Sequence, residues 1–202
     1  MPRLVDHEVR RRQITSAVRR VIVTGGLGAV TFQTVAAEAG FSVRLVQYYF
    51  GTKREFLLAT HRSVMDDAGA RFAQRWSELG EQANPREAVR AVLTELLPLD
   101  DQRREEAIVL GAFAAAATTG QGITGEETLA APRALVTLIT QQLDRTGPAP
   151  SGPNTHELDA ELILVAAGGI TQGMIQGHYT ADSAVTLVDH LLDRVCGPDA
   201  TG

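Results

Sequence analysis

The sequence contains one cysteine and no hydrophobic segment at its N-terminus. A single thiol, Cys196, excludes a disulfide within the chain and is typical of a reducing cytoplasm. The most apolar stretch, residues 162–177, is interrupted by Gln172 and Gln176, so we expect no transmembrane helix. These absences favour a cytoplasmic protein over a secreted or membrane-anchored one.

Sequence patterns typical of enzymes are also missing. No Glu-x-x-His or His-x-x-x-His pair is present, so the usual spacing of a helical metal site is absent. No glycine-rich phosphate loop follows a predicted strand, and there is no nucleophile elbow. We therefore predict that the protein is not an enzyme and needs neither a metal ion nor a cofactor.

Positive charge is concentrated in the first third of the chain. Residues 1–62 carry ten Lys and Arg against four acidic residues, a net charge of +6. The remaining 140 residues carry nine against twenty, a net charge of −11. A basic surface attracts nucleic-acid phosphates and an acidic surface is repelled by them. The imbalance favours DNA binding by the N-terminal third, although solvated charge on small helices would produce it too.

Apolar residues recur at helical spacing through most of the chain. We predict an all-α protein of about nine helices, at residues 6–24, 31–39, 43–49, 53–80, 85–97, 103–119, 126–145, 156–177 and 181–196. The alanine-rich sixth helix is expected to be buried. Residues 120–125 are predicted to form a flexible loop, and residues 147–154, rich in proline and glycine, a linker.

Residues 31–50 have the features of two short helices joined by a sharp turn. Thr31 and Ser42 can each cap a helix N-terminus, and Gly40 can adopt the left-handed backbone that ends the first helix. Val46 and Phe50 lie one turn apart and are predicted to face the core. Such a pair is a helix-turn-helix, whose second helix fits the major groove of DNA.

This segment resembles the DNA-binding domain of the TetR family of bacterial transcriptional regulators. The family pattern is matched by Thr31, Val35, Ala36, Ala39, Gly40, Phe41, Ser42, Val46, Tyr49, Phe50, Lys53, Phe56 and Leu57. Clear similarity covers about residues 6–60, and residues 46–53 are most similar to a subgroup with a choline-repressor-like C-terminal domain. The resemblance implies a three-helix DNA-binding domain at residues 1–52 and a helical ligand-binding and dimerisation domain at residues 53–202.

The resemblance also implies roles at the DNA. Arg44 and Gln47 would hydrogen-bond to base edges, and Gln33 lies at a position that can also reach bases. Contacts to thymine methyl groups are expected of Val43 and Leu45. Phosphate contacts are expected of Thr31, Ser42, Tyr48, Tyr49 and Lys53. Family members often have tyrosine in place of Gln47 and histidine in place of Tyr49, so base preference is not transferred. The alternative for the two tyrosines is packing against the first helix.

The last two helices are expected to form a homodimer interface, as they do in the TetR family. Three glycines four residues apart would let another helix approach closely. The residues predicted to contact the second subunit are Leu158, Leu162, Val165, Gly169, Gly173, Gly177, Val185, Val188 and Leu192. Packing within one subunit is the alternative. A dimer reads a palindrome whose half-sites lie about one helical turn apart.

The remaining helices are expected to bind a small-molecule effector, because about 140 residues exceed what DNA reading needs. Side chains that mix apolar bulk with a few polar atoms are candidates for the cavity, namely Met65, Phe72, Trp76, Leu110, Phe113, Gln172, Met174 and His178. The alternative is that the aromatic residues are plain core. We predict a ligand-responsive homodimeric repressor, with double-stranded operator DNA and an unidentified effector as partners. The alternative is a helical sensor or adaptor that does not bind an operator.

Overall fold

The computed structural model describes residues 2–80, 83–120, 123–147 and 155–197, with side chains described from residue 7 onward. In those residues it has no strand, one 3₁₀ turn (Leu27–Ala29) and nine α-helices. The helices are α1 (Pro2–Gly25), α2 (Phe32–Ala39), α3 (Val43–Tyr49), α4 (Lys53–Leu79), α5 (Pro85–Leu96), α6 (Asp101–Thr118), α7 (Gly125–Asp144), α8 (Thr155–Ile175) and α9 (Ala181–Cys196). The predicted all-α fold is confirmed. Residues 121–122 of the predicted loop and 148–154 of the predicted linker lie outside the described residues.

One compact unit comprises Met1–Ala68 and Ile108–Thr128. Its core is formed by the inner faces of α1 to α3, the first half of α4 and the second half of α6. The largest wholly buried side chains are aromatic and aliphatic, namely Ile14, Ile22, Phe50, Phe56 and Phe113. Phe56 lies edge-on to Phe32, with ring centroids 5.2 Å apart. We refer to Met1–Ala68 and Ile108–Thr128 together as the first unit.

The second unit comprises Gly69–Ala107 and Leu129–Gly202. Its core is aliphatic, with α5, α7, α8 and α9 each contributing a buried stripe that includes Leu93, Ile139, Ile163 and Leu192. The predicted domain boundary at residue 52 is a statement about function, and it stays a prediction.

Local signals explain where the helices of the second unit begin. The side chain of Asn84 accepts a hydrogen bond from the amide of Arg86, and Pro85 occupies the first helical position of α5. Thr180 caps α9 by accepting from the amide of Ser183 at 3.2 Å. Ion pairs join α5 to α9, because Arg86 contacts Asp193 and Arg90 contacts Asp189.

One prediction about helix surroundings is corrected by the structure, and another is left as a prediction. The sixth helix is not buried along its length, since in α6 only Glu106, Val109, Phe113 and Ala116 are buried. By length and composition α8 is apolar enough to cross a membrane, with a mean hydropathy of 1.3 over 18 residues, of which 28% are buried. The two glutamines of the sequence 162–177 do not lower the mean enough to prevent this. Helices of a protein core or of an interface can have the same length and hydropathy, and α8 has an exposed apolar side.

Candidate nucleic-acid interface

The helix-turn-helix is built by the caps that the sequence predicts. The hydroxyl of Thr31 accepts a hydrogen bond from the amide of Thr34 at 3.1 Å and starts α2. Gly40 ends α2 with φ 68° and ψ 30°, the left-handed conformation that glycine adopts without strain. The hydroxyl of Ser42 accepts from the amide of Leu45 at 3.1 Å and starts α3. Val46 and Phe50 are wholly buried, as predicted.

The outer face of α3 is polar and exposed. Arg44, Gln47 and Tyr48 project into solvent, and Tyr48 is 75% exposed. Within the described part of the chain, Arg44 and Gln47 have no side-chain hydrogen bond or ion pair, so their donors are available to an external partner. Gln33 on α2 is exposed as well. This arrangement can present hydrogen-bond donors and acceptors to base edges.

Apolar residues on the same helix are less accessible. Val43 and Leu45 are half-buried, and Val43 packs against the core of the first unit. Tyr49 is half-buried, with its ring 4.8 Å from that of His7 on α1 and 5.2 Å from that of Tyr48. Packing against the first helix is therefore observed for Tyr49. The predicted contacts of these residues with DNA stay predictions.

Phosphate ligands are predicted at the beginning of α4. Lys53 is the first residue of this helix and is exposed, and the described residues offer it no ion pair. The amide groups of a helix N-terminus add positive potential there. Glu55 opposes part of it, because its carboxylate accepts from the amide of Gly51 at 3.0 Å. The caps Thr31 and Ser42 are exposed, and their hydroxyl oxygens already accept amide hydrogens. The hydroxyl proton of Ser42 remains for a phosphate oxygen, whereas the hydroxyl of Thr31 also lies 3.1 Å from that of Thr34.

Contacts from α1 to the helix-turn-helix were missed by the sequence reasoning, which treated the run Arg10-Arg11-Arg12 only as charge. Arg11 donates to the carbonyl of Tyr49 at 2.6 Å, and its guanidinium lies 4.0 Å from the ring centroid of Phe50. Arg10 lies 5.2 Å from the ring centroid of Phe41. Nothing in the sequence spacing marks these contacts, since Arg11 and Tyr49 are 38 residues apart.

Further polar contacts stabilise the first unit around α4. Arg19 of α1 donates to Ser63 at 2.7 Å and to Asp67 at 2.6 Å. Arg54 pairs with Glu127 at 2.6 Å. His61 lies edge-on to Phe113 at 5.2 Å, and burial lowers its pKa below 6.5, an effect that Glu127 partly opposes. A lowered pKa means that His61 is uncharged in the folded protein near neutral pH.

The predicted dimer residues fall into exposed and buried sets. On α8, Leu158, Leu162 and Val165 are 63%, 64% and 70% exposed. On α9, Val185 is half-buried, but Val188 and Leu192 are wholly buried in the core of their own unit. The prediction is therefore corrected for Val188 and Leu192, which leave no surface for a second subunit. A neighbouring residue that was not predicted, Leu187, is 36% exposed.

The three glycines predicted to form one small-residue face do not share one. A Cβ atom at Gly173 would lie 2.5 Å from the ring of Tyr179, so this glycine accommodates a side chain of its own subunit. Gly177 lies beyond the end of α8 with φ 77°, where it serves the turn. Gly169 alone of the three is exposed within a helix and has open space, among the described residues, where a Cβ atom would lie.

The predicted effector residues are divided between the two units. Met65, Leu110 and Phe113 belong to the first unit, where Phe113 is wholly buried core. The other five belong to the second unit, namely Phe72, Trp76, Gln172, Met174 and His178. Phe72 and Trp76 are half-buried and stacked, with ring centroids 5.7 Å apart and an interplanar angle of 23°. Met174 is buried, whereas Gln172 and His178 are exposed. A shared cavity for these residues stays a prediction.

Known protein families match both the N-terminal and the C-terminal part of the chain. Residues 85–197 match the family described as the C-terminal domain of BetI-type transcriptional repressors, and residues 14–60 match the bacterial regulatory proteins of the tetR family. The chain is 32% identical over 116 residues to the regulator PksA of Bacillus subtilis, covering 57% of this chain and 55% of PksA. It is 37% identical over 93 residues to BetI of Burkholderia ambifaria, covering 46% of this chain and 47% of BetI. The aligned part thus spans about half the length of these relatives.

Solved structures with the same fold cover nearly the whole chain. A transcriptional regulator from Rhodococcus sp. Rha1 superposes with a TM-score of 0.76 and 27% identity, over 92% of this chain and 95% of that one. A regulator from Saccharomonospora viridis in complex with choline gives 0.75 and 21%, over 92% and 95%. AibR in complex with isovaleryl coenzyme A and operator DNA gives 0.64 and 18%, over 94% and 100%. At 21% and 18% identity, the last two structures share only the fold with this chain.

Proposed function

The chain belongs to the TetR family of bacterial regulatory proteins, and on that premise we propose that it is a homodimeric, ligand-responsive repressor of a palindromic operator. The family consists of transcriptional regulators and not of enzymes. In this proposal α3 enters the major groove, with Arg44 and Gln47 reading base edges and Lys53 binding phosphate. The protein acts in the cytoplasm, where its operator is.

One observation supports DNA reading most directly. The inner side of α3 is anchored by wholly buried Val46 and Phe50, while its outer side presents Arg44 and Gln47 without intramolecular partners in the described residues. The buried inner side fixes the position of the outer side chains, and reading of nucleobases requires such fixed positions. Arginine pairs with guanine and glutamine with adenine through two parallel hydrogen bonds.

Dimerisation is supported by the exposed side of α8. Leu158, Leu162 and Val165 lie at i, i+4 and i+7, so they form one continuous apolar stripe on the helix. A contiguous apolar surface of this kind is rare on a monomeric protein. Pairing of two copies along this stripe would bury it and would present two reading helices to one duplex.

The effector is proposed to be a small organic molecule bound by the helices that follow α3. Binding weakens DNA affinity if the molecule has higher affinity for the conformation that does not fit the operator. The stacked pair Phe72 and Trp76 offers an aromatic surface to an apolar or cationic group. Choline and isovaleryl coenzyme A are the first molecules to try, because each is bound by a protein of this fold.

A selection from a random oligonucleotide pool, followed by a gel shift, tests this function. The purified protein is expected to recover an inverted repeat and to shift it with the stoichiometry of a dimer. Adding choline or isovaleryl coenzyme A to the same gel shift tests release. Recovery of no preferred sequence at low salt would instead support the alternative, a helical sensor or adaptor that does not bind an operator.

A further inference from the structure

The reading helix α3 is too short to hold its own position. It has seven residues, and isolated helices of that length are unstable in water because nucleation costs more than so few hydrogen bonds return. Its C-terminal cap is Phe50, in extended backbone with φ −139°, and its last turn contains no basic residue. The helix therefore lacks the glycine cap or cation that commonly stabilises a helix C-terminus. Its orientation must depend on contacts from outside.

Arg11 of α1 supplies the missing cation at the C-terminal end of α3. It donates to the carbonyl of Tyr49, the last residue of the helix, at 2.6 Å. Its guanidinium also lies over the ring of Phe50, 4.0 Å from the centroid. Phe50 is wholly buried, so its ring is a fixed platform for the guanidinium. A cation at this end is favoured by the helix dipole, and the ring adds a cation–π attraction.

Arg10 makes a related contact at the other end of α3. Phe41 directly precedes Ser42, the N-terminal cap, and the guanidinium of Arg10 lies 5.2 Å from the ring centroid of Phe41. A hydrogen bond of 3.1 Å to Gln13 holds Arg10 along α1. The third arginine of the run, Arg12, has a side chain that is 73% exposed, with Glu8 3.8 Å away. Two neighbouring arginines thus contact the two ends of the reading helix, and the third does not.

We propose that Arg10 and Arg11 are positioning residues, which fix the reading helix at its two ends and so determine operator specificity without contacting a base. This inference rests on the proposed function. A guanidinium is planar and stacks on a ring while it donates, whereas the ammonium of lysine keeps the charge but lacks the planar geometry. Replacing Arg11 by lysine should therefore loosen α3 while leaving the charge that attracts phosphate unchanged.

The experiment compares Arg11→Lys with Arg12→Lys, a matched control that keeps the same charge in the same run. Affinities are measured for the inverted repeat that the wild-type protein selects and for a scrambled duplex of equal length and composition. Arg11→Lys is expected to lower the ratio of the two affinities by about tenfold, from weaker binding of the inverted repeat alone. Its salt slope should match that of the wild type, and Arg12→Lys should match the wild type throughout.

A second variant tests the contact between Arg11 and the ring of Phe50. A measurement without DNA tests the position of α3 independently of the operator. Phe50→Leu removes the ring under Arg11, so Arg11→Lys should lower the affinity ratio less in that background than in the wild-type protein. Hydrogen exchange should become faster at the amides of residues 43–50 in Arg11→Lys, with α1 unchanged. Arg10→Lys should show the same pattern to a smaller extent, since its guanidinium lies 5.2 Å from its ring centroid and that of Arg11 lies 4.0 Å from its own.

Three results would overturn the inference. Equal weakening on both duplexes would make Arg11 a phosphate ligand. An unchanged affinity ratio, or unchanged exchange at residues 43–50, would show that α3 does not depend on it. If the wild-type protein selects no inverted repeat, the proposed function fails, and the hydrogen-exchange comparison alone decides whether the arginines position α3.

Discussion

The exposed face of α3 and the exposed face of α8 differ in length, chemistry and support. The first belongs to a seven-residue helix and presents Arg44, Gln47 and Tyr48. The second belongs to a helix of 21 residues and presents Leu158, Leu162 and Val165, each more than 60% exposed. A polar face with unused donors suits a hydrated, charged partner, whereas an apolar stripe suits a partner that excludes water.

The two faces also depend on the rest of the chain in different ways. The long helix α8 carries its own backbone hydrogen bonds over many turns, and a buried stripe that includes Ile163 and Ala167 packs it into the core of the second unit. The short helix α3 relies on the cap of Ser42, on its buried residues and on the arginines of α1. Substitutions near α3 should therefore change specificity, while substitutions on α8 should change assembly.

The largest expected effect is at the centre of the apolar stripe. Leu162→Glu places a charge where a second subunit would bury it, and an unpaired buried charge costs several kcal/mol. The dimer dissociation constant should rise by at least about a hundredfold. Sedimentation equilibrium measures it. Leu129→Glu is the matched control, because Leu129 is 45% exposed on α7 and outside the stripe. A dimer that survives Leu162→Glu would place the interface elsewhere.

Arg44→Ala should remove base readout from the polar face. We expect a loss of roughly 1–3 kcal/mol per half-site on the selected operator, with little change on random DNA. Fluorescence anisotropy with both duplexes measures the difference. Arg62→Ala controls for the loss of one positive charge, because Arg62 is exposed on α4 outside the predicted interface. Equal losses on both duplexes would contradict a reading role for Arg44.

Two glycines of α8, four residues apart, should respond oppositely. Gly173→Ala places a Cβ 2.5 Å from the ring of Tyr179, so it should destabilise the protein by roughly 1–3 kcal/mol. Gly169→Ala has open space around it and should stabilise the helix by up to about 1 kcal/mol. Thermal unfolding in the Leu162→Glu background measures both without the contribution of assembly. Destabilisation by Gly169→Ala in that background would show a packing contact at this position within the subunit.

Lys53→Ala should weaken binding to the selected operator and to random DNA by a similar factor. The slope of log affinity against log salt should fall by about one for each Lys53 removed, because each phosphate contact releases counterions. Titrations at several salt concentrations measure the slope. If Lys53→Ala behaves as Arg44→Ala does, the division between phosphate binding and base reading is wrong.

The smallest effect expected is on acid stability of the first unit. Burial lowers the pKa of His61 below 6.5, so the unfolded chain binds a proton more readily than the folded one. The contribution of His61 to the free energy of unfolding should therefore be complete above about pH 6.5 and be lost as pH falls below that value through the lowered pKa of the folded state. His61→Phe should flatten this dependence between about pH 7 and pH 5 in denaturant titrations. A dependence unchanged by the substitution would assign it to other groups.

Local features of the sequence predicted the helix-turn-helix well. The caps Thr31 and Ser42, the left-handed Gly40 and the buried Val46 all follow from residues within one or two turns of one another. The resemblance to the TetR family, carried by those same residues, is confirmed by the family matches.

Contacts between distant segments were not predictable in this way. Arg11 and Tyr49 lie 38 residues apart, and no periodicity links them. Both sides of α9 carry apolar residues, so the pattern did not distinguish buried Val188 from exposed Leu187. The glycine spacing of α8 suggested close approach of another helix, but the ring that occupies the space at Gly173 belongs to Tyr179 of the following turn.

Dimethyl sulfate protection of the selected duplex tests the central claim most directly, because the reagent methylates guanine N7 in the major groove and adenine N3 in the minor groove. We expect two clusters of protected guanines, with centres about one helical turn apart, and unchanged adenines between them. Arg44→Ala should expose one guanine in each cluster. Protection confined to adenines, or a single unpaired cluster, would contradict insertion of α3 into the major groove twice per dimer.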